Sequence, residues 1–185
     1  NDAHIQSGKG YNQNIIRLEE GNRKSYLMFD SSAIDRIGGE IKEVKLKITI
    51  YSDSGYGNIS VYKGNSTSWD ENSITQTNSP KAVSKIGAIT KEYSIGSTEE
   101  IDIDPKQVPL ELMTLILDHQ DGNDLAFASK EHPLKIGPEL VIVYSVLKDA
   151  PEISSMLNTE IEKENTSPLA VADGSPTTGK LPLTI

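Results

Sequence analysis

Six cations and one tyrosine in the first fifty residues have the types and spacing to hold carboxylates. Residues 42–51 read KEVKLKITIY, in which Val44, Leu46, Ile48 and Ile50 alternate with Lys45, Lys47, Thr49 and Tyr51. Such alternation is a half-buried strand with its lysines turned outward. Side chains two apart on a strand project from one face about 6.5–7 Å apart. Lys45 and Lys47 could therefore meet successive anionic groups on an extended partner, through charge-assisted hydrogen bonds. Arg17 and Lys24 face outward on neighbouring apolar-alternating segments, and Tyr26 follows Lys24 on the same face. If these segments pair in one sheet, they form a basic strip with a tyrosine platform, edged by Arg36 and Lys42. The plain alternative is that the lysines only keep an edge strand soluble.

Other chemistry is less well supplied. Asp102 and Asp104 alternate in IDID, but nothing nearby would raise the pKa of either for acid–base work. His4, His119 and His132 lack ligand spacing and lie in no H-E-x-x-H or G-x-S-x-G context. Cysteine is absent, which removes disulfides, thiolate metal sites and a thiol nucleophile. Asp118, Asp121, Asn123 and Asp124 in DHQDGND are hard oxygen donors of the kind calcium takes. The same stretch separates two apolar runs, so it also reads as an Asp-Gly hairpin turn. Asp2 is a candidate ligand for a structural calcium elsewhere, and no cofactor is required. Trp69, the only tryptophan, stands in STSWDENSIT, where Trp, Ile and Pro read as pins for a long loop rather than as a sugar-stacking platform.

The elements that must position these groups are short strands between turn signals. IIRLEEG, GNRKSYLMFD, GNISVYKG and EEIDID alternate apolar and polar residues, while ELMTLILDH, DLAFASKE and ELVIVYSVL are richer in apolar residues and read as central strands. Brief helices fit only at 30–35 and 104–109, the second ended by Pro109. The expected fold is all-β, a jelly-roll β-sandwich over residues 1–148. Residues 149–167, with apolar spacing at Ile153, Met156, Leu157 and Ile161, read as a linker or helix. Residues 168–185 read as a truncated β segment.

The net charge is −9, but it is uneven. Residues 1–50 hold eight Lys/Arg against seven Asp/Glu, residues 51–148 eight against fourteen, and residues 149–185 two against six. Only the first third, where the cation set lies, escapes the acidic bias. A nucleic-acid partner would favour a basic domain. No apolar run approaches the roughly 18 residues of a membrane span. The opening NDAHIQSG is no signal peptide, and the chain reads as a mature or excised piece.

An ordered series of stretches resembles one family. Arg23, Tyr26, Leu27, Phe29 and Asp30 fit an R-x-x-Y-L-x-F-D strand. Ser68, Trp69, Glu71, Ile74, Thr75 and Pro80 fit S-W-x-E-x-x-I-T-W-x-x-x-P, and Ser129, Glu131, Pro138, Leu140 and Tyr144 fit a closing S-x-E…P-x-L-x-V-x-Y pair. The chain is similar in this way, over nearly all of 1–146, to the DNRLRE-type domain, also classed as carbohydrate-binding module family 96. Gln76 departs from the pattern, which has a second tryptophan there. The resemblance implies a jelly-roll sandwich without catalytic activity, secreted and covalently joined to a polysaccharide-degrading enzyme. It also implies binding to an acidic, alginate-type polysaccharide. The 6.5–7 Å spacing of Lys45 and Lys47 is near the repeat of a sugar chain. The set Arg17, Lys24, Tyr26, Arg36, Lys42, Lys45 and Lys47 is then the expected glycan site, with a structural spacer or adhesin-like domain as the alternative. The stretch 168–185 resembles the opening of a PKD-like module.

Overall fold

The computed structural model of the protein describes residues 1–35, 39–146 and 178–184, with side chains over 1–34 and 40–145. Arg36 and the 149–167 segment lie outside the described residues. Twelve strands are described: β1 (Asp2–Gln6), β2 (Lys9–Tyr11), β3 (Ile15–Leu18), β4 (Arg23–Asp30), β5 (Gly39–Thr49), β6 (Gly55–Gly64), β7 (Ala82–Tyr93), β8 (Thr98–Ile103), β9 (Leu112–Asn123), β10 (Leu125–Ala128), β11 (Glu139–Val146) and β12 (Thr178–Thr184). The two short helices fall where the sequence places them, α1 at Ser32–Asp35 and a 3-10 turn at Pro105–Gln107. In the second, the Asp104 carboxylate accepts the Lys106 N–H at 3.0 Å, so this aspartate is a cap.

Ten strands form one curled antiparallel sheet in the order β12-β11-β5-β8-β7-β6-β9-β4-β1-β2, and β10 pairs with β3. The curl occurs where β7 and β8 share a single residue pair, Gly87 with Ile103. On one side β5 lies between β11 and β8; on the other β9 lies between β6 and β4. The apolar faces of the two halves meet. Val44, Leu46, Ile48, Ile101, Leu140 and Ile142 pack in one cluster with Leu27, Phe29, Ile59, Val61, Leu115 and Leu117, and Ile16, Leu18, Leu125 and Phe127 from β3 and β10 complete it. This is the all-β sandwich that the alternation predicts, because period-2 patterning leaves each half with one face to hide.

One feature differs from the sequence reading. Asp121–Gly122 is not a hairpin turn, since β9 and β10 do not pair. It is a bulge inside β9, with Asp121 at φ 55° and a register shift against β6. A Cβ on Gly122 would sit 1.8 Å from the Tyr56 carbonyl oxygen, so the close crossing demands glycine. The 168–185 stretch, read as a β segment, contributes β12, which pairs along β11 from Glu139↔Thr184 to Ser145↔Thr178 at the sandwich edge.

Candidate functional site

The outer face of the β6-β9-β4-β1 half carries a second apolar cluster. Ala3, Ile5, Tyr26 and Ile116 project there from paired strands, and the segment 65–80 folds across them with Trp69 and Ile74. The Trp69 indole donates to Thr114 Oγ1 at 2.9 Å, and its ring meets Tyr26 edge-on at 6.2 Å. Trp69 is therefore a packing residue, as its motif suggests. Gly10 permits the same cover, because a Cβ there would lie 2.1 Å from the Ile74 carbonyl oxygen.

This cover corrects the expectation for Tyr26. It does share the outward face of β4 with Lys24, but it is only 6% exposed, since the 65–80 segment lies over it. What remains open is its edge. A groove of about 240 Å³ runs beside it, lined by Ile5, Ser7, Gly8, Asn22, Lys24 and Gln76, together with Gly21 and Tyr26. Lys24 is the one charged side chain of that lining, and no carboxylate is part of it. Gln76, the position where the family pattern has tryptophan, contributes an amide instead of a ring. Lys9 adjoins Gly8 and bridges Thr75, and the Lys81 ammonium donates to the Gln76 carbonyl at 3.0 Å. Lys9, Lys81, Asn22 and Gln76 escape sequence reasoning because β2 and the 65–80 segment meet β4 only in three dimensions.

Lys24 reaches sideways along the face to Asp118 on β9, Nζ to Oδ2 2.8 Å. Next to Asp118, the Ser60 hydroxyl donates to Asn58 Oδ1 at 2.6 Å and the Asn58 amide to Thr90 Oγ1 at 2.8 Å. A row of polar groups thus crosses β4, β9, β6 and β7 from the groove outward.

The other expected cations lie elsewhere. Lys45 and Lys47 do share one outward face of β5, but β5 pairs with β8 and β11, not with β3 or β4. Four strands separate β5 from β4 in the sheet order, and the core lies between their outward faces. The two lysines are occupied there. Lys45 pairs with Glu43 at 3.1 Å and Glu100 at 3.3 Å, and Lys47 with Glu100 at 2.8 Å. Hydrogen bonds from Lys47 and Lys45 hold the Glu100 carboxyl below its ordinary value. Glu43 and Glu100 line the same shallow depression as the lysines, of about 200 Å³. Lys42 pairs with Glu40 at 2.6 Å, and Arg17, on β3, lies 3.7 Å from Asp53. The described members of the set are thus not one strip: Lys24 and Tyr26 share one outer face, Lys45 and Lys47 the opposite one.

The acidic stretch of β9 does not converge on a point. Asp118 pairs with Lys24, Asp124 with Arg23 at 3.3 Å, and the Asp121 amide donates to Glu20. Carboxylates come together instead at Asp2, Glu71 and Glu131, whose oxygens lie within 4.8 Å of one another. Burial pushes the Asp2 carboxyl up to about 7. The histidines pack as rings: His4 stacks on Tyr11 at 5.2 Å and His132 meets Tyr51 at 4.3 Å, while His119 Nε2 lies 3.1 Å from the Tyr56 carbonyl oxygen. Burial lowers the His4 pKa to about 4, so that ring is neutral near pH 7.

The fold is thus an all-β, jelly-roll-type sandwich that carries a cation, amides and an aromatic edge around an outer groove. The sequence model of carbohydrate-binding module family 96 matches residues 6–144, and the chain belongs to that family. No curated protein matches the chain significantly.

Proposed function

We propose that this carbohydrate-binding module takes an acidic, uronic-acid polysaccharide of the alginate type in the groove beside Lys24. In this reading it acts as a secreted, non-catalytic tether for a polysaccharide-degrading enzyme on the same polypeptide. The observation that carries the reading is the lining of that groove: one ammonium, the amides of Asn22 and Gln76 and the edge of Tyr26, with the nearest carboxylates, Asp118 on Lys24 and Glu19 on Asn22, outside the lining. The Lys45–Lys47 face supports it less, because Glu43 and Glu100 already share those cations.

The Lys24–Asp118 pair does not stand in the way. Lys24 is half exposed, and a surface pair of this kind is worth about 0–1 kcal/mol. A charge-assisted hydrogen bond to a sugar carboxylate is worth about 1.5–3 kcal/mol, enough to redirect the ammonium. Lys9 and Lys81 beside the groove add long-range attraction. Tethering then raises the local concentration of an attached catalytic domain at the polymer. The 168–185 stretch as the start of a PKD-like module would require β12 to leave β11 for a following domain.

The rival is a structural spacer without a glycan site. It draws on the fact that Arg17, Lys24, Lys42, Lys45 and Lys47 each have a carboxylate partner within the chain. Affinity electrophoresis through gels containing alginate or a neutral glucan separates the two. Retardation by alginate alone, weakening as salt is added, is the expected outcome. Equal mobility in all gels would leave the spacer.

A further inference from the structure

We propose that Asp2, Glu71 and Glu131 form a divalent-cation site, with calcium as its ion, that fastens the first strand to the two segments crossing it. The residues come from three distant parts of the chain. Asp2 opens β1, Glu71 lies in the 65–80 segment over the outer face, and Glu131 lies in the turn after β10. Their carboxylate oxygens are all within 4.8 Å of one another. Oxygens on opposite sides of a calcium ion, each about 2.3–2.6 Å from it, span about 4.6–5.2 Å.

Asp2 supplies the independent sign of a missing partner. The residue is fully buried, and its Oδ2 accepts the Lys130 backbone N–H at 2.7 Å. Among the described residues its Oδ1 has no N–H or hydroxyl donor and faces only the Glu131 carboxyl, a contact that two carboxyls hold only through a shared proton or a cation. A buried carboxylate oxygen without a donor is rare in folded proteins, and each case calls for a ligand, a water or a proton. The charges point to a metal. Three carboxylates face the Lys130 ammonium, which bonds Glu71 Oε1 at 2.7 Å and also Glu131, and the Asn1 amino group also feels all three. Ionised together, the three carboxylates still outnumber these two cations, and a divalent ion offsets the excess in place of the proton that burial favours on Asp2. All three donors are hard oxygens, the set that calcium prefers. Glu71 also accepts the Asp2 backbone N–H at 3.0 Å, which holds it beside the strand. Lys130 is the competitor, an ammonium on two of the three ligands.

The test needs no glycan, so it stands or falls apart from the groove. The 185-residue chain, stripped with EDTA and dialysed, is titrated with calcium chloride by calorimetry, and its melting is followed with and without calcium. One site per chain is expected, at roughly 0.1–1 mM or tighter, with a melting temperature that rises with calcium and a weaker response to magnesium. Glu131→Gln, at an exposed position, should weaken binding about tenfold or more. Lys130→Met should tighten it, because it removes the competing ammonium. Absence of saturable binding, or equal binding by Glu131→Gln, would overturn the site. So would a Lys130→Met variant that melts lower and gains nothing from calcium, since the ammonium would then be the cation for which the cluster is built.

Discussion

The indole N–H of Trp69 donates to the Thr114 hydroxyl at 2.9 Å, and that hydroxyl donates in turn to the Ser66 carbonyl at 2.8 Å. Two hydrogen bonds in series thus clip both the start and the middle of the 65–80 segment to β9. Trp69→Ala removes a large buried ring and one of these bonds, and should cost about 3–5 kcal/mol in urea unfolding. Thr114→Val keeps the shape but strands the indole donor, and should cost about 1–3 kcal/mol. A cost below about 1 kcal/mol for Trp69→Ala would mean that the segment is not held through the ring.

Lys24 and Asp118 make the groove adjustable. Lys24→Ala should leave stability within about 1 kcal/mol of wild type while lowering affinity for a uronate oligosaccharide about tenfold or more. Asp118→Asn frees the ammonium and should raise that affinity. Opposite changes in the two variants, measured by calorimetry, mark a shared electrostatic role; parallel losses would mark a structural one.

The Lys45–Glu100–Lys47 bridge sits on the opposite outer face, and its effect is local. The Glu100 carboxyl titrates below its ordinary value because Lys47 and Lys45 hydrogen-bond its charged form. Its contribution to stability is therefore present above the ordinary glutamate pKa and fades as the pH falls through the lowered one. In an NMR titration, Lys47→Ala should move the Glu100 pKa upward. The double replacement of Lys45 and Lys47 by alanine should leave uronate affinity unchanged, and a large loss would transfer the site to β5.

Tyr93 offers an alkaline probe of the core. Its hydroxyl donates to the Gly57 carbonyl at 2.9 Å and lies 3.1 Å from that of Ile89, and burial raises its pKa to about 12. A folded pKa above the unfolded value of about 10 gives stability that is complete below pH 10 and lost as the pH climbs toward 12. Tyr93→Phe should cost about 1 kcal/mol at neutral pH, and its deficit against wild type should shrink between pH 10 and 12. A constant deficit would show that the hydroxyl ionises freely in the fold.

Much of the fold was legible one strand at a time. Period-2 alternation assigned Val44, Leu46, Ile48 and Ile50 inward, and all four are buried in the main cluster. The 104–109 stretch ended by Pro109 marked the short helical turn, and the Trp69 motif marked the pinned loop. Pairing was not legible, because nothing local tells β5 that its neighbours are β8 and β11 rather than β3 and β4. Alternation also reports which face a residue takes, not what covers that face, so Tyr26 reads as exposed until the 65–80 segment is laid over it. The Asp-Gly pair looked like a turn, but turn chemistry serves a bulge equally well. Glu71 and Glu131 were visible as motif residues, yet their convergence on Asp2 depends on contacts across 69 and 129 positions.

The most direct measurement is a calorimetric titration of the wild-type chain and its Lys24→Ala variant with a uronate oligosaccharide, and of the wild type with a neutral glucan of equal length. The account predicts saturable binding of the uronate by wild type, weakened by salt, about tenfold or more weaker in the variant, and none of the neutral chain. Equal affinity of wild type and Lys24→Ala for the uronate, or equal affinity of wild type for both glycans, would contradict it.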